Sequence, residues 1–322
     1  MSRPWLINPL FNPLFEPLTI ILFVLFIAAG LGLLVFQYVH TLRLNNGSAL
    51  VMAGSDPAVL WCRYRTWVII ALLFAGANLS GPLTIALLCS FLCWQGAREY
   101  ALLTSMSEGY RWFLTISGWL TLLATLCIGS SILTFIPILA FFIWSILLLY
   151  PAQGNMEMNT RFIAGLAGLW GYLYLGWLPA HLLALSLGRV PALITLVGFG
   201  VALSDVGAFC TGKLIGGPKL APSLSPNKTW GGALGNLLGA ALAVLLVSSA
   251  LLHLHWWQCC ILALAIGVGS LWGDLLESLL KRQRGVKDAG TLLPGFGGLL
   301  DRIDSLLLVA PLVYYVALLS GV

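Results

Sequence analysis

The chain has 322 residues, of which 60% are apolar and 8% charged, and its mean hydropathy is +0.97. That composition excludes a soluble globule and indicates an all-α, polytopic integral membrane protein. The net charge of +5 is not a nucleic-acid signal, because the cations sit beside hydrophobic runs, as they do in cytoplasmic loops.

The first sixteen residues carry three prolines with aromatics and are expected at a membrane interface. A first span is predicted over 17–40, followed by a polar loop with Arg43, Arg63 and Arg65. Two short apolar runs, 66–79 and 82–95, are divided by Ser80-Gly81-Pro82. Both lie near or below the length that crosses a bilayer, which suggests a tilted or re-entrant hairpin. After a polar segment at 96–111 come spans at 112–129 and 132–150, then 162–187 and 190–209. Further spans are predicted at 230–254, 257–280 and 303–319, giving about ten helices. The apolar run from Leu18 to Val39 has no small-residue cleavage site behind it, so it reads as a span and not as a leader. The seven cysteines form no CxxC pair and read as small buried residues. The four histidines lie far in sequence from the charged cluster and read as packed or interfacial.

With the N-terminus outside and the spans alternating, fourteen Lys and Arg fall in inside loops, and only Arg3 and Arg189 fall outside. This is the asymmetry of a correctly oriented chain. It places the polar loops 210–229 and 281–301 on the cytoplasmic side. The chain divides into an N-terminal helical region, 1–200, and a C-terminal membrane region, 201–322, which holds the chemistry. Gly231, Gly235 and Gly239 recur every fourth residue, a face for close helix packing.

Charge is concentrated in one place. Segment 274–305 holds five of the 11 acids and five of the 16 bases. Ionisable groups beside a bilayer are costly and usually face a cavity or a partner. Asp274, Glu277, Ser278 and Lys281 stand at i, i+3, i+4 and i+7, one helical face. Asp301 and Asp304 repeat the i, i+3 spacing at the start of the last span, and a glycine-rich stretch between the two helices can turn the chain back. Two or three aspartates beside Lys281, Lys287 and Arg302 suit Mg²⁺, which takes a few carboxylates plus water and substrate phosphates. The alternative is a set of ordinary surface ion pairs, but these stabilise little. Upstream, Asp205 ends an apolar span, and Ser223, Ser225, Asn227, Lys228 and Thr229 precede a helix whose N-terminus suits phosphate. Thr229 or Asn227 can equally serve as a simple helix cap.

The run Ser278-x-x-Lys281-Arg282, Lys287-Asp288, Gly290, Pro294-Gly295-x-Gly297-Gly298, Asp301-Arg302-x-Asp304-Ser305 resembles the signature of phosphatidate cytidylyltransferases, the CDP-diacylglycerol synthases. The upstream Ser204-Asp205, Lys219-Leu220-Ala221-Pro222 and Ser225-Pro226-Asn227-Lys228-Thr229-Trp230 block resembles the same family in the same order. Two departures mark a divergent paralogue. Phe296 stands where the family motif usually has His, and Gly231 where an acid or amide commonly follows Lys-Thr-Trp.

The resemblance implies a magnesium enzyme of a bacterial inner membrane that condenses CTP with phosphatidic acid at its cytoplasmic face, giving CDP-diacylglycerol and pyrophosphate. It implies Asp274 and Asp301 as Mg²⁺ ligands, with Asp304 a third ligand or an orienter of Arg302. Lys281, Lys287 and Arg302 would screen the phosphates, and Asp288 joins them by its place in the motif. Lys219, Lys228 and Asn227, with Ser225 and Thr229, would grip the triphosphate or the lipid headgroup, and Gly297 and Gly298 would belong to the same substrate-binding set. Asp205 would orient a lysine or contact a second metal ion. A homodimer is compatible with this reading. Three rivals stay open: a CTP-dependent lipid kinase, an ion-coupled transporter and a catalytically silent paralogue.

Overall fold

The structure is a computed structural model that describes residues 4–45, 57–149, 158–188, 190–286, 288–294 and 297–322. Arg3, Arg189, Lys287 and Phe296 lie outside the described residues. The described chain is almost wholly helical. Its α-helices are α1 (Phe15–Asn45), α2 (Pro57–Ser80), α3 (Pro82–Thr104), α4 (Glu108–Ile128), α5 (Ile136–Leu149), α6 (Met158–Tyr172), α7 (Leu178–Leu187), α8 (Ala192–Leu214), α9 (Trp230–Val247), α10 (Trp256–Arg284) and α11 (Leu300–Ser320). A π-turn, Leu173–Trp177, joins α6 to α7 into one rod. Eight helical segments among the described residues are long and apolar enough to cross a membrane.

The two short runs of the sequence are helices of ordinary length. Arg63, Arg65, Arg98 and Glu99 dilute the hydropathy of α2 and α3 without ending either helix, so α2 has 24 residues and α3 has 23. The break between them is sharp: Gly81 has φ +102°, and Pro82 opens α3 as a pre-set first helical residue. The N-terminal segment is stitched over this corner. The Ile7 amide donates to the Ser80 carbonyl at 2.9 Å, and Asn12 Nδ2 donates to the Leu79 carbonyl at 2.8 Å.

Between apolar lipid and apolar side chains there is little hydrophobic drive, so helices associate through close packing and hydrogen bonds. The C-terminal half illustrates this. On α9, a Cβ at Gly235 would strike Thr211 and the Gly207 carbonyl of α8, and one at Gly239 would strike the Leu203 carbonyl. Gly235 and Gly239 of the glycine repeat therefore form the face on which α9 lies backbone to backbone against α8. On α10, Gly269 and Gly273 do the same against α11. α3 and α7 pack beside this four-helix group and join it to α4 and α6. α1 stands at the edge, its span only 6% buried, held to α2 by Tyr64 Oη donating to the Phe26 carbonyl at 2.9 Å.

The loop expected before α9 is partly a β-hairpin. Lys219–Ala221 (β1) pairs antiparallel with Ser225–Thr229 (β2), with Lys219 opposite Thr229 and Ala221 opposite Ser225. Pro226 sits in a strand whose only partner among the described residues is β1, where a missing N–H is tolerated.

Candidate active site

Four helices, α8, α9, α10 and α11, and the hairpin line one cavity. Helical spacing puts Asp274, Glu277 and Lys281 of α10 on one face. Gly273 then lets α11 approach until its Asp304 and Ser305 backbone touches that face. A Cβ at Gly273 would lie 2.8 Å from Ser305 Cα and from the Asp304 carbonyl carbon. This contact delivers Asp304 to Asp274 and Glu277. Each of the three carboxylates offers an oxygen, all within 4.8 Å of one another, and Glu277 and Asp304 are buried. The three oxygens lie in a cavity of about 360 Å³, which Asp205, Ser225, Asn227, Lys228, Thr229, Ser270, Lys281, Asp301 and Arg302 also line.

The acids are partnered by bases from both sides. Lys228 Nζ on β2 lies 2.7 Å from Asp274 Oδ2. Lys281 Nζ pairs with Glu277 and, at 2.9 Å, with Asp301 Oδ1. Charges this close in a half-buried setting interact far more strongly than on an open surface. On the floor, the Ser270 hydroxyl is a hub: it donates to Asp205 Oδ1 at 3.3 Å and accepts from Ser204 Oγ at 3.1 Å and Asn236 Nδ2 at 3.2 Å. α8, α9 and α10 are thereby tied together beneath the carboxylates.

Asp301 has a different environment from Asp274 and Asp304. Its Oδ2 accepts from the amides of Ala289 and Gly298 at 2.9 and 2.8 Å, while its Oδ1 faces Lys281. It thus holds the α10–α11 connection against Lys281. That connection closes on itself through paired backbone bonds between Leu293 and Gly297, and Gly297 takes φ +88°, a conformation suited to glycine. Gly298 contributes its amide. Asp288 is exposed and borders Gly297, outside the cavity lining. Lys219 is exposed on β1 and also lies outside the lining.

The hairpin forms the opposite wall. Thr229 caps α9, its Oγ1 accepting from the Gly232 amide at 3.1 Å, so the cap expected from sequence coexists with a place in the cavity wall. Arg282 Nε donates to the Leu224 carbonyl at 3.1 Å and fixes the hairpin to the end of α10. Gly231 has no room for a side chain, since a Cβ would sit 2.5 Å from the Gly216 carbonyl oxygen. The chain before β1 folds into the space that a larger residue would need.

Sequence alone assigns no role in the site to three of its features. Glu277 shares the predicted face, but no spacing rule says which acids of one helix meet those of another. Ser270 and Asn236 look like ordinary small polar residues within spans. Glu99 lies in what reads as a polar segment after a short span; in the structure it is buried in α3 and accepts hydrogen bonds from the first amides of α11. No local signal marks a contact 200 residues away.

These features define an all-α integral membrane protein with a carboxylate- and lysine-lined cavity at one end of its helix bundle. The chain belongs to the cytidylyltransferase family, whose sequence model matches residues 61–320. It is 35% identical over 268 residues to the Escherichia coli K12 protein YnbB, covering 79% of this chain and 85% of that one. It is 45% identical over 147 residues to a phosphatidate cytidylyltransferase of Brucella suis biovar 1, covering 45% of this chain and 54% of that one. A phosphatidate cytidylyltransferase of Synechocystis is 43% identical over 130 residues, 39% of this chain and 44% of that one. The chain thus spans about half the length of the phosphatidate cytidylyltransferases it matches.

Proposed function

We propose that this protein transfers the cytidylyl group of CTP to phosphatidic acid or a closely related lipid phosphate, releasing pyrophosphate. The observation that carries the reading is the convergence of Asp274, Glu277 and Asp304 with Lys228, Lys281 and Arg302 in one cavity, in a chain of the cytidylyltransferase family. The charge asymmetry of the loops supports a cytoplasmic site, and the bacterial relatives support an inner membrane.

In the reaction, an oxygen of the lipid phosphate forms a bond to the α-phosphorus of CTP. The bond from that phosphorus to the bridging oxygen of the β-phosphate breaks, and pyrophosphate leaves in line. A phosphate monoester is already ionised near neutral pH, so no side chain has to remove a proton. The obstacle is repulsion between two polyanions, and catalysis is a matter of position and opposing charge. Lys228, Lys281 and Arg302 reach the cavity from β2, α10 and α11 and offset phosphate charge from three directions. Asn227, Ser225 and the capped N-terminus of α9 donate hydrogen bonds to phosphate oxygens. Lys219 and Asp288, both exposed and outside the cavity lining, would meet substrate only at its outer parts.

The donor set fits Mg²⁺: hard carboxylate oxygens from Asp274, Glu277 and Asp304, clustered closely with space left for water and phosphate. Mg²⁺ held there would neutralise charge that gathers on the phosphates in the transition state. Asp301 supports this arrangement by holding Lys281 and the loop, and Asp205, with Ser270, stands ready for a second cation or a lysine.

The test uses purified protein with phosphatidic acid, Mg²⁺ and CTP labelled at either end. Label from the α-phosphate entering the lipid, with pyrophosphate released in equal amount, is the expected result. Label from the γ-phosphate entering the lipid instead, or none entering it, overturns the proposal.

A further inference from the structure

We infer that Glu99 of α3 is a positioning residue that sets where α11 begins, and through it the placing of Asp301 and Asp304; its bearing on turnover rests on the cytidylyl-transfer reading. The first amides of a helix have no partner within the helix and usually take a local side-chain cap. α11 has no such cap. Its amides are met from another helix: Leu299 N–H donates to Glu99 Oε1 at 3.0 Å and Leu300 N–H to Glu99 Oε2 at 2.7 Å. Gln95, one turn earlier on α3, donates from Nε2 to Glu99 Oε1 at 2.8 Å and fixes the carboxylate's rotamer.

Glu99 is 2% exposed, and no ion pair to it occurs among the described residues. A buried carboxylate with no cation is stable only where hydrogen bonds and dipoles hold it, and here they come from the positive end of α11. Two glycines are shaped around it. A Cβ at Gly290 would lie 3.0 Å from Glu99 Cδ, and one at Gly298 would lie 2.5 Å from Oε2. The neighbouring Gly298 amide then goes to Asp301 Oδ2, whose other oxygen holds Lys281. The path from Glu99 to the cavity is therefore two backbone amides, one carboxylate and one lysine, without a gap. A second tie from the N-terminal half, Thr66 Oγ1 donating to the Pro294 carbonyl at 3.1 Å, holds the same loop from α2.

The test is Glu99→Gln in the full chain, with Glu108→Gln on an exposed carboxylate as control. Glutamine keeps the volume and one accepting oxygen, but turns an N–H toward an N–H. Turnover and hydrogen exchange at the amides of Leu299 and Leu300 are both measured. The expected result is a fall in kcat of about 10²-fold, the cost of a small misplacement far from the chemistry, with KM for CTP little changed. Faster exchange confined to 289–302 should accompany it. Parent-like kcat, parent-like exchange at those two amides, or equal loosening across α8 and α9 would overturn the inference. Should the parent protein itself fail to turn over CTP, the cytidylyl-transfer reading falls, and the exchange result alone decides whether Glu99 holds α11.

Discussion

Gly273→Ala puts the close approach of α10 and α11 under direct test. The added methyl would meet Ser305 Cα and the Asp304 carbonyl carbon at 2.8 Å, backbone atoms that no rotamer change can move. Carbon atoms rest at about 3.5–4.0 Å, so α11 must retreat from α10 by roughly 1 Å. Overpacking of this kind costs about 1–3 kcal/mol. The retreat also opens the distance between Asp304 and the two acids of α10, and a misplacement of about 1 Å can cost about 10²-fold in rate. The expected outcome is a lowered thermal midpoint in detergent together with a fall in CDP-diacylglycerol formation of that order. Gly76→Ala is the control, because nothing lies within 4 Å of a Cβ there, and a helical alanine is favoured over glycine. If Gly273→Ala keeps both the parent's midpoint and its turnover, the claim that this glycine sets the site's geometry is wrong.

Lys228→Met removes the 2.7 Å partner of Asp274 and should raise KM for CTP by roughly tenfold or more, the worth of one charged hydrogen bond; steady-state kinetics at saturating lipid checks it. Chelation of divalent cations should abolish turnover, and Asp304→Asn should raise the Mg²⁺ concentration for half-maximal rate by roughly tenfold or more; a metal titration of both proteins decides this, and an unchanged requirement would remove Asp304 from the ligand set. Arg282→Ala cuts the bond from α10 to the Leu224 carbonyl and should speed limited proteolysis within 219–225, because a hairpin with one tie fewer opens more often.

Much of the site could be read from the chain because its chemistry is local. The spacing of Asp274, Glu277 and Lys281 specifies one helical face whatever the fold, and Thr229 before a glycine-rich apolar run specifies a cap. The glycine repeat of α9 likewise announced a close packing face, though not that α8 would be its partner. What stayed hidden depends on pairs of distant segments. The spacing of Asp301 and Asp304 gives them neighbouring places on α11, yet one points into backbone amides and the other into the acid cluster, because Gly273 fixes the angle between the two helices. The lengths of α2 and α3 were underestimated for a related reason. Hydropathy falls at Arg63, Arg65, Arg98 and Glu99, but a helix end requires a break in backbone hydrogen bonding, which these residues do not impose. Glu99 shows the cost of that error most clearly, since a charged residue taken as a span's polar margin is a buried support of the last helix.

The internal pairs of the cavity have a consequence for how its ligands arrive. Lys228 occupies Asp274, and Lys281 occupies Glu277 and Asp301, so a cation seeking the acids competes with the lysines, and a nucleotide seeking the lysines competes with the acids. Under the proposed reaction, whichever ligand came first would free the partners that the other needs. Such linkage is reciprocal by thermodynamic necessity: if the cavity takes Mg²⁺ and a triphosphate as proposed, the factor by which either tightens the other is the same in both directions.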